Sequence, residues 1–370
     1  MGLEGLDGVV VGETTLSDVR GATGELYVRG YPAAELSRVL TYEGMVHLLF
    51  QGELPHPEEA QSLRTELARH REWPEESLPS LERLPRGMTP METLRTLVSL
   101  LGVGWTRFPP TQEDLLPFIA RAPGGLARAY RAQRGLPPVA PDPSLGHVAN
   151  YLYQLEGRPP EDRRVRALES YFVLVAEHGM NASTFAARVT ISTQSDPASA
   201  LTAALSTLKG PLHGGAPSLV SDMLDRVGTP QAAPQWIADA LGRRERLMGF
   251  GHRVYRTEDP RAVRLKEIAR EVASPSRFAL AEAVEYAGLA ALRARNPQRP
   301  LYLNVEFYAA VVLEAAGLPP ELFTPTFGLA RLAGYSAHIL EQARGNRLIR
   351  PEVRYAGPGP RPVPVGYSLR

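Results

Sequence analysis

From about Ala34 onward, apolar residues recur through most of the chain at the three- and four-residue spacing of helices. The first positions of this pattern are Leu36, Leu40, Val46, Leu49 and Phe50. Prolines fall largely between such segments, as in 108–110 and 135–143, where they end helices and stiffen the connections. The spacing therefore predicts a mostly α protein.

Two short stretches before the helical region have a different pattern. Residues 9–14 and 25–30 are rich in β-branched and aromatic side chains, and they flank a turn that contains glycine and threonine. They predict a small sheet or hairpin near the N-terminus.

Two of the predicted helices end next to polar residues. The stretch 171–190 predicts a buried apolar helix that runs into the polar residues 177–184, which stand at a helix end where a cleft can form. A second helix is predicted over 197–208. It stops at Gly210 and Pro211, so His213 lies just beyond its end.

Composition limits the class of protein. With 370 residues, 44% of them apolar, the chain can bury a large core in two domains or in one large helical domain. The absence of cysteine excludes disulfides, thiolate nucleophiles and metal sites with cysteine ligands. A net charge of +1 gives no overall attraction for nucleic acid. No apolar run approaches the roughly 18 residues of a membrane span, and the first residues lack a signal-peptide pattern, so we expect a cytoplasmic protein.

Three stretches hold side chains suited to acid–base chemistry. His213 lies in 211–216, His252 in 249–255, and Glu306 in 304–308, and each stretch is bounded by glycine or starts a helix. Removal of a proton from a carbon next to a carbonyl needs a carboxylate base and neutral donors that face the oxygen. Two histidines and one carboxylate supply these groups.

Each of these residues also has a structural interpretation. His213 can occupy a tight turn, and Glu306 can simply stabilise a helix whose N-cap is Asn304, by roughly 0.3–1 kcal/mol. A lone arginine is more often a solvated surface residue. Two other enzyme classes are disfavoured. Val254 occupies the position of the third glycine of a dinucleotide fingerprint, and the chain has no G-x-S-x-G turn of a serine hydrolase.

Taken together, the three stretches resemble the catalytic set of the citrate synthase family. The resemblance extends from 13–19 through 29–31 and 177–188 to 346–351. It implies a mostly α, citrate-synthase-like fold with a short N-terminal β segment. Residues 1–215 and 317–370 would form a large helical domain, and 216–316 a smaller helical domain that closes over the CoA substrate.

The same resemblance implies a role for individual residues. It makes His213, His252 and Glu306 catalytic. It implies that oxaloacetate contacts His178, His252, Arg261, Arg331 and Arg350, the last contributed by the partner subunit of a homodimer. It implies that CoA contacts Arg256, Gly251 and, more weakly, Arg246. Acetyl-CoA or another acyl-CoA would be a substrate, with no metal and no tightly bound cofactor.

One member of the set departs from the family pattern, because Glu306 stands where the family has aspartate. The extra methylene leaves three functions open. The chain can be a citrate synthase, a 2-methylcitrate synthase that uses propionyl-CoA, or a slow or inactive relative that binds dicarboxylate and CoA for regulation.

Overall fold

The computed structural model describes residues 4–6, 8–85, 87–213, 216–298 and 300–367. Two glycines of the first stretch, Gly214 and Gly215, lie outside these residues. Residues 1 and 370, the outer limits of the predicted large domain, also lie outside them.

A three-stranded antiparallel sheet precedes the helices. Its strands are β1 (Ser17–Arg20), β2 (Glu25–Val28) and β3 (Tyr31–Pro32), paired in the order β1-β2-β3. The strand predicted over 25–30 is confirmed as β2, because Leu26 and Val28 alternate into the core at 3% and 1% exposure. The strand predicted over 9–14 was wrong. Val9, Val10 and Val11 are all exposed, so this segment has no buried face to hold it against a sheet.

The rest of the described chain is mainly helical, as the apolar spacing predicts. The helices are α1 (Ala33–Val39), α2 (Tyr42–Gln51), α3 (Pro57–Arg69), α4 (Leu78–Glu82), α5 (Pro90–Leu100), α6 (Gln112–Ala132), α7 (His147–Glu156), α8 (Asp162–Val175), α9 (Ala182–Ser192), α10 (Pro197–Leu208), α11 (Ala216–Val227), α12 (Ala233–Gly242), α13 (Pro260–Val272), α14 (Pro275–Arg295), α15 (Val305–Ala315) and α16 (Phe323–Arg344).

The helix predicted over 197–208 is confirmed as α10, with Asp196 as its N-cap. The segment 171–190 is divided between two helices. α8 ends at Val175, Gly179 takes a left-handed conformation with φ 62°, and Asn181 caps the start of α9. A helix cannot continue through a left-handed residue, so the polar cluster forms a loop between α8 and α9.

Helix α16 lies at the centre of the helical core. It is buried on nearly all sides and packs against α2, α6, α8, α9 and α10. Most of its side chains are apolar or small, and such a helix is stable where it is buried on nearly all sides. Gly334 allows its backbone to approach the end of α8, because a Cβ there would collide with the carbonyl oxygen of Ala176. The α8–α9 loop is thereby held against α16.

Three helices begin with a polar N-cap next to the residues of the three stretches. Asn181 caps α9, Asp259 caps α13, and Asn304 caps α15, and each side chain accepts a backbone N–H of the first turn. Helix N-termini favour bound anions, because their free N–H groups and the helix dipole both present positive charge. Within the described residues, no helix is both long and apolar enough to span a membrane.

Candidate active site

His178 lies in the α8–α9 loop and is buried. Its Nε2 lies 3.0 Å from the Tyr255 hydroxyl, and its ring centroid lies 5.7 Å from that of His252. Burial, followed by the charge of Arg261, lowers the pKa of His178 well below its usual value. His178 is therefore a neutral imidazole beside a second one.

A buried hydrogen-bond network fixes the loop that carries His178. Glu177 Oε1 accepts the Gly179 N–H at 2.6 Å and the Ser17 hydroxyl at 2.8 Å. Because Arg188 donates to His338 Nδ1 at 3.1 Å, the proton of His338 lies on Nε2, which donates to Glu177 Oε1 at 3.0 Å. Strand β1 and helix α16 thus hold the loop from both sides.

The hydrogen bonds of His252 determine which of its ring nitrogens carries the proton. Nδ1 accepts the backbone N–H groups of Val254 and Tyr255, each at 3.0 Å. The proton is therefore on Nε2, which lies 3.9 Å from Asp259 Oδ2. Burial, and then the charge of Arg261, lowers the pKa of His252 to about 4, so the neutral ring offers Nε2–H as a donor near pH 7.

A short antiparallel bridge brings the His252 loop to the start of α15. Phe250 pairs with Leu303, and Asn304 donates its backbone N–H to Gly249 O at 2.9 Å and its side-chain amide to Gly251 O at 3.0 Å. Gly249 has φ 82°, and a Cβ there would lie 2.8 Å from the Phe307 ring. Only glycine fits this position. The bridge places His252 and Glu306 on neighbouring segments.

Glu306 lies in the first turn of α15 and is partly exposed, and no described cation lies within ion-pair distance of its carboxylate. Although part of the residue is exposed, the surrounding protein excludes water from its carboxyl and raises the pKa of Glu306 to about 7. The charge of Arg261 opposes this shift, Asp259 adds to it, and Arg331 opposes it. A carboxyl with a pKa near 7 is a stronger base than an ordinary glutamate, and it is ready to accept a proton at neutral pH.

Arg261 is paired with a fully buried carboxylate. Its Nε and Nη2 donate to Asp259 Oδ1 at 3.0 Å and Oδ2 at 2.8 Å. Burial opposes the charge of Arg261, but Asp259 raises its pKa above the usual value. This bidentate pair locks the guanidinium in one orientation beside His252.

Arg331 is 1% exposed and makes no ion pair with any residue that the structure describes. Its Nε donates to the Val175 carbonyl oxygen, and its guanidinium lies 4.7 Å from the Phe327 ring centroid. Burial lowers the pKa of Arg331 from its usual value. A buried guanidinium without an ion pair is costly. The charge of Glu177 offsets part of that cost, and a bound anion would relieve more of it.

His213 follows α10 and contacts α9. Its Nε2 lies 2.7 Å from Ser183 Oγ, which also accepts the Tyr335 hydroxyl at 2.7 Å. Burial, and then the charge of Arg331, lowers the pKa of His213 to about 4. His213 is therefore a third neutral imidazole, and the arginine near it is Arg331.

Two of the residues predicted to contact CoA, Gly251 and Arg256, directly adjoin His252 and Tyr255 of this cluster in the chain. Gly251 has φ 87° and donates its N–H to Tyr302 O at 2.7 Å. Arg256 and Arg246 are exposed, and neither forms an ion pair within the described chain. Both guanidiniums remain available to an external anion.

Arg350 is a predicted site residue that the structure does not bring to the cluster of its own chain. It is exposed in the extended segment after α16, and the preceding Ile349 is bonded to Ser192 at the end of α9. Ser183 stands at the opposite end of this 11-residue helix. At a rise of about 1.5 Å per residue, Ser183 and Ser192 are separated by about 14 Å along the helix.

The structure adds four residues that sequence reasoning did not single out. Tyr255 contacts His178, Asp259 pairs with Arg261, Ser183 contacts His213, and Tyr335 contacts Ser183. The N-cap position of Asp259 and the place of Ser183 in the polar loop were available signals. Nothing in the local sequence distinguishes Tyr335.

The assembled site therefore offers one carboxylate base, three neutral imidazoles and two buried guanidiniums. This combination can bind a small dianion, remove a proton from a carbon acid and donate hydrogen bonds to developing oxyanions. Among the described residues, no group of three or more histidine, aspartate or glutamate side chains is arranged to hold a metal ion.

Comparisons with known proteins identify the family of this chain. The family described as citrate synthase, C-terminal domain, matches residues 5–352. A citrate synthase of Deinococcus radiodurans is 38% identical over 367 residues, which cover 96% of this chain and 95% of that protein. A 2-methylcitrate synthase of Mycobacterium tuberculosis is 38% identical over 371 residues, 98% of this chain and 92% of that protein.

A solved structure is also similar to this chain. Citrate synthase of the thermophilic archaeon Thermoplasma acidophilum, in a ternary complex with carboxymethyl coenzyme A and oxaloacetate, superposes with a TM-score of 0.90 at 29% identity. The match covers 99% of both chains. Family, relatives and fold agree over almost the whole length, and the chain therefore belongs to the citrate synthase family of acyltransferases.

Proposed function

We propose that this protein is a citrate synthase that condenses acetyl-CoA with oxaloacetate and water to form citrate and CoA. The proposal rests on one observation. Glu306, neutral imidazoles and Arg331, which has no ion-pair partner among the described residues, lie in one site. The ternary complex named for the Thermoplasma acidophilum relative supports the choice of substrates.

Oxaloacetate would bind between His178, His252, Arg261 and Arg331. Arg331 has no carboxylate partner within the described chain, so a substrate carboxylate would compensate its buried charge. Fixing the dianion by guanidinium groups also orients its ketone for attack. The Nε2–H of His252 would donate to the ketone oxygen, because Nδ1 is already occupied as an acceptor.

Glu306 would take a proton from the methyl group of acetyl-CoA. The electron pair of the broken C–H bond forms a C=C bond, and the π pair of the thioester carbonyl moves to its oxygen, where a hydrogen bond from neutral His213 would stabilise the enol or enolate. The enol carbon then attacks the ketone carbon of oxaloacetate. The ketone oxygen would take the Nε2 proton of His252 and become the hydroxyl of citryl-CoA, and the proton that Glu306 removed would return the His252 ring to its neutral form. Water hydrolyses this thioester to citrate and CoA.

Residues 216–316 would close over the CoA substrate as a smaller domain. His252, Arg261 and Glu306 come from this segment, whereas His178 and Arg331 come from the rest of the chain. Closure would complete the site and exclude water from the enol. Arg256, the Gly251 backbone and Arg246 would contact CoA, and the exposed guanidiniums suit its phosphates.

A 2-methylcitrate synthase that uses propionyl-CoA is the second candidate, favoured by the Mycobacterium tuberculosis relative. A steady-state CoA-release assay with oxaloacetate and either acetyl-CoA or propionyl-CoA separates the candidates. We expect higher kcat/KM with acetyl-CoA. Higher kcat/KM with propionyl-CoA would favour the second function, and no release with either would indicate an inactive binding protein.

Activity should depend on the ionisation of Glu306. Because its pKa is about 7, the carboxyl is protonated at lower pH and cannot accept the methyl proton. His213 and His252 have pKa values of about 4. Both rings therefore stay neutral from about pH 5.5 to about pH 8, which lies more than one unit above these values. We expect kcat/KM for acyl-CoA to rise about tenfold per pH unit below 7 and to level off above it.

A matched control is available for this pH profile. Burial also raises the pKa of Glu169, in α8, to about 7. Its carboxylate contacts the backbone of Tyr42. Glu169→Gln should keep the rising limb of the profile. A flat wild-type profile, or a limb that disappears in the control variant, would count against Glu306 as the titrating base.

The protein would act as a homodimer in which Arg350 of each subunit reaches the oxaloacetate of the other. Supporting this, Arg350 lies at the far end of α9 from the site of its own chain, and residues 350–367 are exposed along their length. A segment this exposed and extended suits contact with a second copy.

Mixing two inactive variants tests the shared site. Arg350→Ala should weaken oxaloacetate binding, and His213→Ala should prevent enolisation. In a heterodimer of the two, one site has an intact His213 and the intact Arg350 of the partner. With random exchange of equal amounts, half of the dimers are mixed, so about one quarter of wild-type activity should return. If subunit exchange is demonstrated and activity still does not recover, a shared site is excluded.

A further inference from the structure

Tyr171, in α8, is a fully buried tyrosine whose hydroxyl has no hydrogen-bond partner among the described residues. Four other tyrosines of the described chain are equally buried, and each hydroxyl has a partner at 2.5–2.9 Å. These pairs are Tyr42 with Ala330 O, Tyr151 with Thr326, Tyr308 with Glu285 and Tyr335 with Ser183. A buried donor without an acceptor is costly, so the hydroxyl of Tyr171 indicates an acceptor that the chain itself does not supply.

The backbone of α8 cannot satisfy this hydroxyl. A serine or threonine in a helix can turn its hydroxyl to the carbonyl oxygen four residues back. A phenol hydroxyl stands at the far end of a rigid ring, beyond the backbone of its own helix. The acceptor for Tyr171 must therefore come from a neighbouring element or from a bound molecule.

Tyr171 lies on the side of α8 that faces the candidate site. Val175 follows it by one helical turn on the same face, and the Val175 carbonyl oxygen accepts Arg331 Nε. Helix α8 also packs against α13 and α15, whose first turns carry Arg261 and Glu306. The position of Tyr171 thus relates it to the charged groups of the site.

The ionisation of Tyr171 agrees with this position. Burial, and then the charge of Glu306, raises its pKa well above the usual value, whereas Arg331 and Arg261 act in the opposite direction. The phenol is therefore a protonated donor under the influence of all three charged side chains.

None of these three side chains accepts the Tyr171 hydrogen in the described structure. A guanidinium group has no acceptor atom. The carboxyl of Glu306 can accept, but no hydrogen bond joins it to Tyr171 although both side chains are present. A substrate carboxylate held by Arg331 would keep lone pairs for a second donor, because a carboxylate offers about four acceptor positions.

We propose that Tyr171 is a further oxaloacetate-binding residue, whose hydroxyl donates to the substrate carboxylate that Arg331 binds. This inference rests on the proposed function for the identity of the substrate. A neutral donor adds a hydrogen bond to the dianion without a further positive charge beside Arg261 and Arg331. The free protein carries the cost of the unpaired hydroxyl, and the bound substrate relieves it.

Tyr171→Phe removes only the hydroxyl and separates binding from stability. We expect the Kd of oxaloacetate, measured by calorimetry, to rise about 10- to 100-fold, the effect of a hydrogen bond to a charged group. The melting temperature of the free protein should stay the same or rise, because an unpaired buried donor is lost. An unchanged Kd would overturn the inference. A lower melting temperature of the free protein would also overturn it, because the hydroxyl would then have a partner without substrate.

Tyr151→Phe is the matched control. Tyr151 is also fully buried, but its hydroxyl lies 2.9 Å from Thr326, so the substitution breaks an existing hydrogen bond. Its melting temperature should fall, and its Kd for oxaloacetate should stay at the wild-type value. A rise in Kd as large as that of Tyr171→Phe would show that loss of any buried phenol weakens binding, and the inference would be wrong.

Malate distinguishes the carboxylate from the ketone as the acceptor. Malate keeps both carboxylates of oxaloacetate and has a hydroxyl in place of the ketone. Tyr171→Phe should therefore weaken the binding of malate and of oxaloacetate by the same factor. A loss confined to oxaloacetate would place the phenol at the ketone and overturn the carboxylate contact.

The pH profile distinguishes the substrate from Glu306 as the acceptor. A donor to Glu306 would favour its ionised form, so its removal would move the midpoint of the kcat/KM profile to higher pH. We expect the midpoint of Tyr171→Phe to stay at the wild-type pH. A shift of the midpoint to higher pH with an unchanged Kd for oxaloacetate would overturn the inference.

Binding needs no turnover, so the inference and the proposed function can fail separately. A wild type that binds oxaloacetate but releases no CoA would contradict the proposed function, and the Kd comparison would still decide the role of Tyr171. An active wild type whose oxaloacetate affinity does not depend on the Tyr171 hydroxyl would overturn the inference alone. A wild type that does not bind oxaloacetate would overturn both.

Discussion

Glu306→Ala is expected to lower citrate formation and the exchange of acetyl-CoA methyl protons about 100- to 10,000-fold, the usual contribution of a general base. Oxaloacetate affinity should stay within about threefold, because the carboxylate would face the enolising carbon and not the dicarboxylate. Proton exchange is followed by NMR in deuterated water, and binding by calorimetry. Wild-type turnover in this variant would place the base elsewhere and leave Glu306 as a stabilising first-turn carboxylate.

Glu306→Gln separates the role of the base from packing, because it keeps the size of the side chain and removes its basicity. Activity should fall as far as in the alanine variant. Thermal stability, in contrast, should rise at alkaline pH. Since the pKa is raised to about 7, the folded state favours the protonated form and loses stability as pH rises through that value. The melting temperature of the glutamine variant should therefore exceed that of the wild type at pH 8 and approach it at pH 5.

Glu306→Asp tests how the site accommodates the longer base. The substitution withdraws the carboxylate by one methylene, and a displacement of about 1 Å can change the rate on the order of 100-fold. A rise in kcat would mean that the rest of the site suits the shorter side chain of the family. A fall would mean that the site is built around glutamate. An unchanged kcat would contradict a tightly positioned base.

Arg331→Met is expected to abolish measurable oxaloacetate binding, with an increase in Kd of at least about 100-fold, because it removes a charge-assisted contact from a buried site. The free protein should not lose stability. Arg331 has no ion-pair partner among the described residues, so methionine of similar volume removes a buried charge without breaking an ion pair. Thermal unfolding with and without oxaloacetate measures both effects, because a ligand that binds the folded state raises the melting temperature.

Arg188→Met is the matched control for this comparison. Arg188 is also buried in the same region, but it pairs with Glu341 at 2.6 Å and donates to His338 at 3.1 Å. Its removal leaves a carboxylate without its partner, so the melting temperature should fall. Oxaloacetate should still raise the melting temperature of this variant. A stable Arg331→Met protein that retains wild-type oxaloacetate affinity would exclude Arg331 from the binding site.

Local patterns in the sequence were sufficient for much of the helical fold. Helix α10 was predicted with its observed bounds because a proline at its start, regular apolar spacing and Gly210 at its end are all local signals. The N-cap of α15 was predicted for the same reason. The strand predicted over 9–14 was wrong, because a strand also needs a partner and a buried face, which its own residues do not specify.

In the candidate site, too, the sequence determined some features and the tertiary structure determined others. The sequence by itself determined which side chains were available: histidines and a carboxylate in glycine-bounded or helix-starting stretches, in an order that resembles one family. Only the tertiary structure decided their chemical states. The proton of His252, the raised pKa of Glu306, the lone charge of Arg331 and the contact between Ser183 and Tyr335, which are 152 residues apart, depend on burial and on neighbours distant in the chain. Spacing along the sequence reports which side chains can share a helix face or a turn, whereas protonation and charge compensation are set by the solvent exclusion and hydrogen bonds that packing creates.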